Sequence, residues 1–145
     1  MRNTKYYFYL IVILCIFSYF LFTKLENLNK NEKINFNENM SLVEVKLPNY
    51  FSESAKIGKH LFNEKCSACH GLNAAGVKGY GPPLIHKIYE PSHHGDESFQ
   101  RAVEVGVIQH HWSFGKMASI SGIEKSKVAK IITYIRELQR ENGIK

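Results

Sequence analysis

Only three cysteines, four prolines, three methionines and one tryptophan occur in the 145 residues. So few cysteines exclude a framework of several disulfides. Charge of one sign is also scarce. Lys plus Arg number 19 and Asp plus Glu 13, a formal net charge of +6. Three of the positive charges, Arg2, Lys5 and Lys24, flank an apolar run, leaving 16 against 13 and a net +3 over residues 25–145. No basic stripe or RNA-reading motif accompanies that margin, which argues against a nucleic-acid partner. Internal repeats are absent too. The length fits one domain, and if a membrane segment and a linker are set aside the remainder is about 95 residues. A core that small gains from a covalent or cofactor staple.

The one long apolar run is Tyr6 to Phe22, YYFYLIVILCIFSYFLF, seventeen residues without a charge. It lies near the short end of what spans a hydrocarbon core. Arg2 and Lys5 before it favour an amino terminus kept in the cytoplasm and a carboxy-terminal remainder that is exported. Its four tyrosines and four phenylalanines gather towards the two ends, where aromatic rings meet membrane interfaces. A cleaved signal peptide needs small residues before the cut, but Ser18-Tyr19-Phe20-Leu21-Phe22-Thr23 is bulky. A lipoprotein signal needs a small residue before its cysteine, whereas Leu14 precedes Cys15. The expectation is therefore an uncleaved anchor over residues 1–23, with Cys15 as a lipid-facing apolar residue.

Residues 24–49 read as a polar linker. Over residues 23–50, seven asparagines and scattered charges show no sustained helical periodicity. Within it, Leu42-Val43-Glu44-Val45 suits either a short strand or an edge contact. The folded domain is expected over residues 50–145.

Cys66-Ser67-Ala68-Cys69-His70 carries the chemistry. CxxCH is the attachment signature of haem c. Two thiols one helical turn apart can each add to a vinyl group on the same porphyrin edge, and the adjacent imidazole then lies under the iron. At this chain's Cys and His frequencies, on the order of 0.003 such motifs are expected by chance. A dithiol oxidoreductase would need a βαβ context, and a zinc site four ligands; neither accompanies the pair. A structural disulfide between Cys66 and Cys69 stays open on spacing alone.

Helical signals surround the motif. Ser52 is placed to cap a helix whose Ile57, Leu61 and Phe62 form an apolar stripe. Ser121-Gly122-Ile123-Glu124 reads as a capping box, after which Val128, Ile131, Ile132, Ile135 and Leu138 recur on one helix face. Between them, residues 96–103 read as a short helix capped by Asp96 and ended at Gly106, with Phe99, Ala102 and Val103 inward.

On these features residues 50–141 resemble a class I, mono-haem cytochrome c domain, a small all-α fold around one covalent haem c. The resemblance implies that Gly58 and Phe62 meet the last helix, at Tyr134, in a close crossing. It implies that Gly81-Pro82-Pro83-Leu84 is the turn whose Pro82 carbonyl accepts from the proximal His70, while Leu84 packs on the haem. Met117, 47 residues after His70 on a loop before the last helix, stands where the family places its distal iron ligand. Trp112 resembles the tryptophan that bonds a haem propionate. The metal ligands implied are thus His70 and Met117. One departure is Ala118, where the family commonly has proline after the methionine; with Lys116 before it, it points to a loop that releases its methionine more readily.

The paired histidines His93-His94 and His110-His111 are read as polar caps and surface contacts, the alternatives being a bis-His haem through His110 or His111 and a copper or zinc site shared by the pairs. The functional expectation is a carrier and not an enzyme. It would be a single-pass protein of the cytoplasmic (inner) membrane with its haem domain facing the periplasm, passing single electrons between partners such as a membrane oxidase, a dehydrogenase or a bc-type complex. Lys59, Lys65, Lys78, Lys87 and Lys116 are candidates for steering acidic partners. Two alternatives are a haem c sensor or peroxidase with a labile methionine, and a subunit that admits electrons into a larger oxidase or dehydrogenase.

Overall fold

The computed structural model describes the backbone of residues 2–145 and the side chains of residues 3, 6–30 and 40–145. The side chains of Arg2 and Lys5, used above for orientation, lie outside the described residues. Five helices follow in order: α1 (Arg2–Met40), α2 (Glu53–Lys65), α3 (Ser67–His70), α4 (Asp96–Val105) and α5 (Lys125–Glu141), with 3-10 turns at Leu72–Ala74 and Lys87–Tyr89. Among the described residues there is no strand, only isolated bridges at Val77–Gly81 and Val107–Met117. The chain divides into two compact units, Met1–Asn39 and Met40–Lys145.

The first unit is a helix. Its stretch Tyr6–Lys30, whose most apolar 18 residues have a mean hydropathy of 2.1, is long and apolar enough to cross a membrane, a criterion that a signal sequence also meets. The helix runs on through the asparagine-rich stretch to Met40, where an irregular linker is expected from composition. Residues 23–40 contain neither proline nor glycine, so nothing there breaks the backbone ladder.

The second unit starts at Met40, ten residues before the expected boundary. The backbone N–H groups of Leu42 and Val43 donate to the Ala75 carbonyl at 3.2 Å, and Lys78 donates to that of Met40 at 2.9 Å. Lys46 and Asn142 exchange two hydrogen bonds of 2.9 Å, and Val45 packs on the core. Residues 42–45 thus form an edge contact without becoming a strand.

Helix α2 starts where Ser52 Oγ accepts from Ala55 N at 3.1 Å. Its buried face is Ala55, Gly58 and Phe62; Ile57 is 46 % exposed and lies off it. That face crosses α5 on Ile131, Tyr134, Ile135 and Leu138. Phe62 and Tyr134 meet with ring centroids 5.6 Å apart, a pair worth about 0.5–1.5 kcal/mol beyond its burial. At the crossing, a Cβ on Gly58 would lie 1.9 Å from the Lys130 carbonyl oxygen, so only glycine lets the backbones approach.

Two caps differ from the sequence pattern. Helix α5 begins at Lys125 with Glu124 as N-cap, and Ser121 stands outside it because Gly122, at φ 77°, turns the chain in between. Helix α4 is capped by Gly95 instead of Asp96, and the Asp96 carboxylate accepts from Arg136 Nε at 2.9 Å. Arg136 is the polar hub of the fold. Its side chain, 8 % exposed, also donates to the carbonyls of Tyr89 and His94 and to Gln139 Oε1. Gln139 in turn donates to the carbonyls of Leu84 and Tyr89. Together they tie residues 84–95, which contain no α-helix, and the first residue of α4 to α5.

Gly58→Ala is expected to destabilise the domain by at least about 2–3 kcal/mol, because the obstructing atom is backbone and the crossing itself must open. Thermal melts read this as a lowered midpoint, and an unchanged midpoint would contradict the close approach. Arg136→Gln should cost about 2–3 kcal/mol through the carbonyls left unpaired. Asp96→Asn should cost under about 1 kcal/mol, since Asp96 is 65 % exposed. Urea midpoints at constant m-value separate the two.

Candidate functional site

The attachment motif sits where α2 ends. Cys66 caps α2, its N–H donating to the Phe62 carbonyl at 2.8 Å, and is also the N-cap of the four-residue α3. Its carbonyl accepts from Cys69 N and His70 N at 3.2 and 2.9 Å. That single turn brings Cys69 and His70 round next to Cys66. Gly71, at φ 74°, ends it. Both thiols are unpaired, so no disulfide joins them. Burial pushes the Cys66 thiol up to about 11, with the neighbouring Cys69 adding to the rise. A thiol protonated at neutral pH resists stray oxidation.

The chain then folds back beneath the motif. Gly76 N donates to the His70 carbonyl at 2.7 Å, and Leu84 N to that of Ala74 at 2.9 Å. A Cβ on Gly81 would lie 2.5 Å from the Cys69 carbonyl oxygen, so the Gly81-Pro82-Pro83-Leu84 turn rests directly on the attachment helix. Its consequence is the hydrogen bond from His70 Nδ1–H to the Pro82 carbonyl, 2.9 Å long. This bond fixes the tautomer and leaves the Nε2 lone pair for a metal. Burial lowers the pKa of His70, against the pull of that hydrogen bond, so the ring is held neutral. Leu84 is buried in the core beside these groups.

Met117 lies on the loop between α4 and α5. Its backbone exchanges two hydrogen bonds of 3.0 Å with Val107. Gly106, at φ 80°, makes the approach possible, because a Cβ there would meet the Met117 carbonyl oxygen at 2.5 Å. Gly115 N donates to Gln109 Oε1 at 2.7 Å inside the loop, and Ile120 N to the Val103 carbonyl at 2.8 Å just beyond it. Ala118 therefore does not leave residue 117 unsupported, since the ladder to Val107 restrains the backbone in place of a proline.

Trp112 is half-buried on the same loop, its ring edge-on to His86 at 5.1 Å. Its indole N–H is fully buried and makes no hydrogen bond among the described residues. A weak interaction with the indole opposes the upward shift that burial gives the Tyr89 phenol, at a geometry short of a full hydrogen bond. A buried N–H left unpaired costs about 1–3 kcal/mol and calls for an acceptor. A haem propionate is such an acceptor. With two free thiols and a neutral imidazole of fixed tautomer, the residues present fit a covalently held haem.

The four paired histidines come together. His93 and His94, on the turn after Tyr89, meet His110 and His111 of the methionine loop, with ring centroids between 4.3 and 5.9 Å apart. Local desolvation, then repulsion from His110, His94 and His93, lowers the pKa of His111. Of the lysines considered for steering, Lys65 pairs with Glu64 at 2.7 Å and Lys59 lies over the Phe51 ring, while Lys78, Lys87 and Lys116 are exposed.

Sequence reasoning did not find the supporting roles of Gly81, Gly106 and Arg136. For Arg136 one signal was present: Gln139 falls on the apolar stripe of α5, and a polar residue there needs buried partners.

A family model described as Cytochrome c matches residues 55–139, more than half of the chain. Comparison with curated proteins gives no match, nor does comparison with solved structures. The matched region runs from the first turn of α2 to the last turn of α5 and encloses the CxxCH turn. The chain belongs to the cytochrome c family, haem-based electron carriers that hold haem c and its iron by covalent attachment.

Proposed function

We propose that this chain is a membrane-tethered electron carrier in which His70 and Met117 are the two axial ligands of the haem c iron. The observation that carries this reading is the paired hydrogen bonding of Met117 to Val107, which restrains the one methionine that follows the attachment motif. When bound, the haem supplies a one-electron ferric/ferrous couple. Cys66 and Cys69 hold it through thioethers, and His70 offers Nε2 because Nδ1–H is committed to Pro82. Met117 offers its thioether sulfur, which favours a higher reduction potential than a second histidine would. With His70 and Met117 both holding the iron, no position would remain for oxygen or peroxide, which suits transfer over catalysis. The Trp112 N–H would gain its missing acceptor in a propionate, and Leu84 would supply an apolar wall.

The proposed organisation is an anchor in residues 1–23, a spacer in 24–39 and the haem domain from Met40. Residues 40–49 join the domain because their backbone bonds to it. The domain is assigned to the periplasmic side, where a tether keeps a carrier at high effective concentration near membrane complexes. Such partners would be an oxidase, a dehydrogenase or a bc-type complex, and a subunit role in one of them differs only in permanence. Lys78, Lys87 and Lys116 are exposed and available to steer an acidic partner. One observation favours a second reading, a sensor or peroxidase with a labile ligand: Ala118 replaces the stiffening proline. The Val107 ladder weighs against it.

Visible spectra of the haem-loaded protein test the reading. The ferric form should show the far-red methionine–iron band, and the reduced form should be low-spin and indifferent to carbon monoxide. Met117→His should abolish the band and lower the reduction potential by on the order of tenths of a volt, within the roughly 0.8 V that axial ligands span. A band that survives Met117→His would remove Met117 from the iron. Gly106→Ala is expected to cost about 2–4 kcal/mol, from a left-handed alanine plus the clash with Met117. Faster amide exchange at Val107 and Met117 is the local signature to look for.

A further inference from the structure

The histidine cluster is not used by the electron carrier, and its geometry has a chemistry of its own. One ring nitrogen from each of His93, His94 and His111 lies within 4.8 Å of the others. The closest pair is His93 Nε2 and His111 Nε2, 3.4 Å apart. That separation is longer than a good hydrogen bond between two rings. It matches a metal coordination edge instead. With metal–nitrogen bonds of about 2.0–2.1 Å, two ligands on a tetrahedral ion stand roughly 3.3–3.4 Å apart, whereas adjacent ligands of a square-planar ion stand about 2.8–3.0 Å apart.

We propose that His93, His94 and His111 form a zinc(II) site, with a fourth coordination position open to water or to an external ligand.

Three further observations support it. His94 Nδ1 lies 2.6 Å from the Ile88 carbonyl, which makes it the donor and leaves Nε2 as the ligating atom, the outer hydrogen bond that metal-bound imidazoles keep. The turn that carries His93 and His94 is held from beneath, since Arg136 binds the carbonyls of Tyr89 and His94 and the carboxylate of Asp96. The ligands of one segment are therefore positioned before any ion arrives. His110, whose Nδ1 faces the Ile108 carbonyl at 3.0 Å, backs His111 with ring centroids 4.3 Å apart. The set consists of imidazoles alone, with neither thiolate nor carboxylate, which suits zinc over calcium or magnesium. The third nitrogen must close in by a fraction of its present separation, a side-chain adjustment open to His93 and His111, which are both exposed. Because the ligands come from turns 18 residues apart, an occupied site would clasp the methionine loop to the turn after Tyr89.

The test uses the full-length, haem-loaded protein in detergent, with any affinity tag removed and after dialysis against a chelator. Titration with zinc chloride, followed calorimetrically, should show one zinc per chain. His93→Gln and His111→Gln should each weaken binding by more than about 10-fold, the least that loss of even an outer partner costs. His60→Gln, on the exposed side of α2, should leave it unchanged. An unaltered haem spectrum in every variant establishes that the fold is intact. As a measurement that needs no variant, zinc should protect His93, His94 and His111 from diethyl pyrocarbonate. Absence of saturable binding, one zinc shared between two chains, or uptake that survives both substitutions would each overturn the assignment.

Discussion

The close crossing of α2 over α5 at Gly58 is the contact on which the rest of the domain depends. A hydrogen in place of a side chain lets the α2 backbone reach the Lys130 carbonyl. Phe62 can then bury fully against Tyr134, whose ring also meets Phe51 at 5.3 Å. Since α2 ends directly in Cys66, the angle and depth of that crossing set where the attachment turn stands relative to the core. Burial of large apolar side chains at this crossing contributes about 1.5–3 kcal/mol each, so a small domain rests heavily on a few residues.

From that crossing outward, placement passes through backbone contacts that only glycine allows. Gly81 seats the proline turn on the Cys69 carbonyl, and the Pro82 carbonyl can then receive the His70 N–H. Gly106 does the same on the opposite side, letting Val107 and Met117 pair. Proximal and distal candidates are thus each positioned by a glycine immediately before the partner residue in the turn or ladder. Arg136 and Gln139 have a different task. They satisfy the carbonyls of residues 84–94, a stretch without regular helix that would otherwise bury unpaired acceptors. The same hub that orders this stretch presents His93 and His94 on its outer face, so one buried guanidinium serves both the fold and the histidine cluster.

Legibility varied with the kind of signal. CxxCH, the Ser52 cap and the α5 stripe are local patterns whose spacing follows from helix geometry, and each is read directly from the chain. Caps that depend on how the chain enters a helix were less legible. Ser121 matched the capping-box pattern, but Gly122 turned the backbone before the helix began. Asp96 is a good cap by type, yet Arg136 claims its carboxylate across a separation of 40 residues. The asparagine-rich stretch looked irregular by composition, while the absence of proline and glycine let α1 continue through it.

By itself the sequence determined the attachment chemistry, the all-helical class and the family, because two thiols and an imidazole one turn apart can be judged without knowing what surrounds them. The tertiary structure alone decided which hydrogen bonds orient the functional groups. The Pro82 carbonyl lies 12 residues from His70, and Val107 lies ten from Met117; neither distance in sequence says that the atoms meet. It decided as well that two histidine pairs, polar and separate along the chain, share one corner of the molecule. Local patterns report the conformation of one segment, whereas encounters between segments depend on the packing of the whole chain, where close backbone approach and buried carbonyls leave few arrangements open.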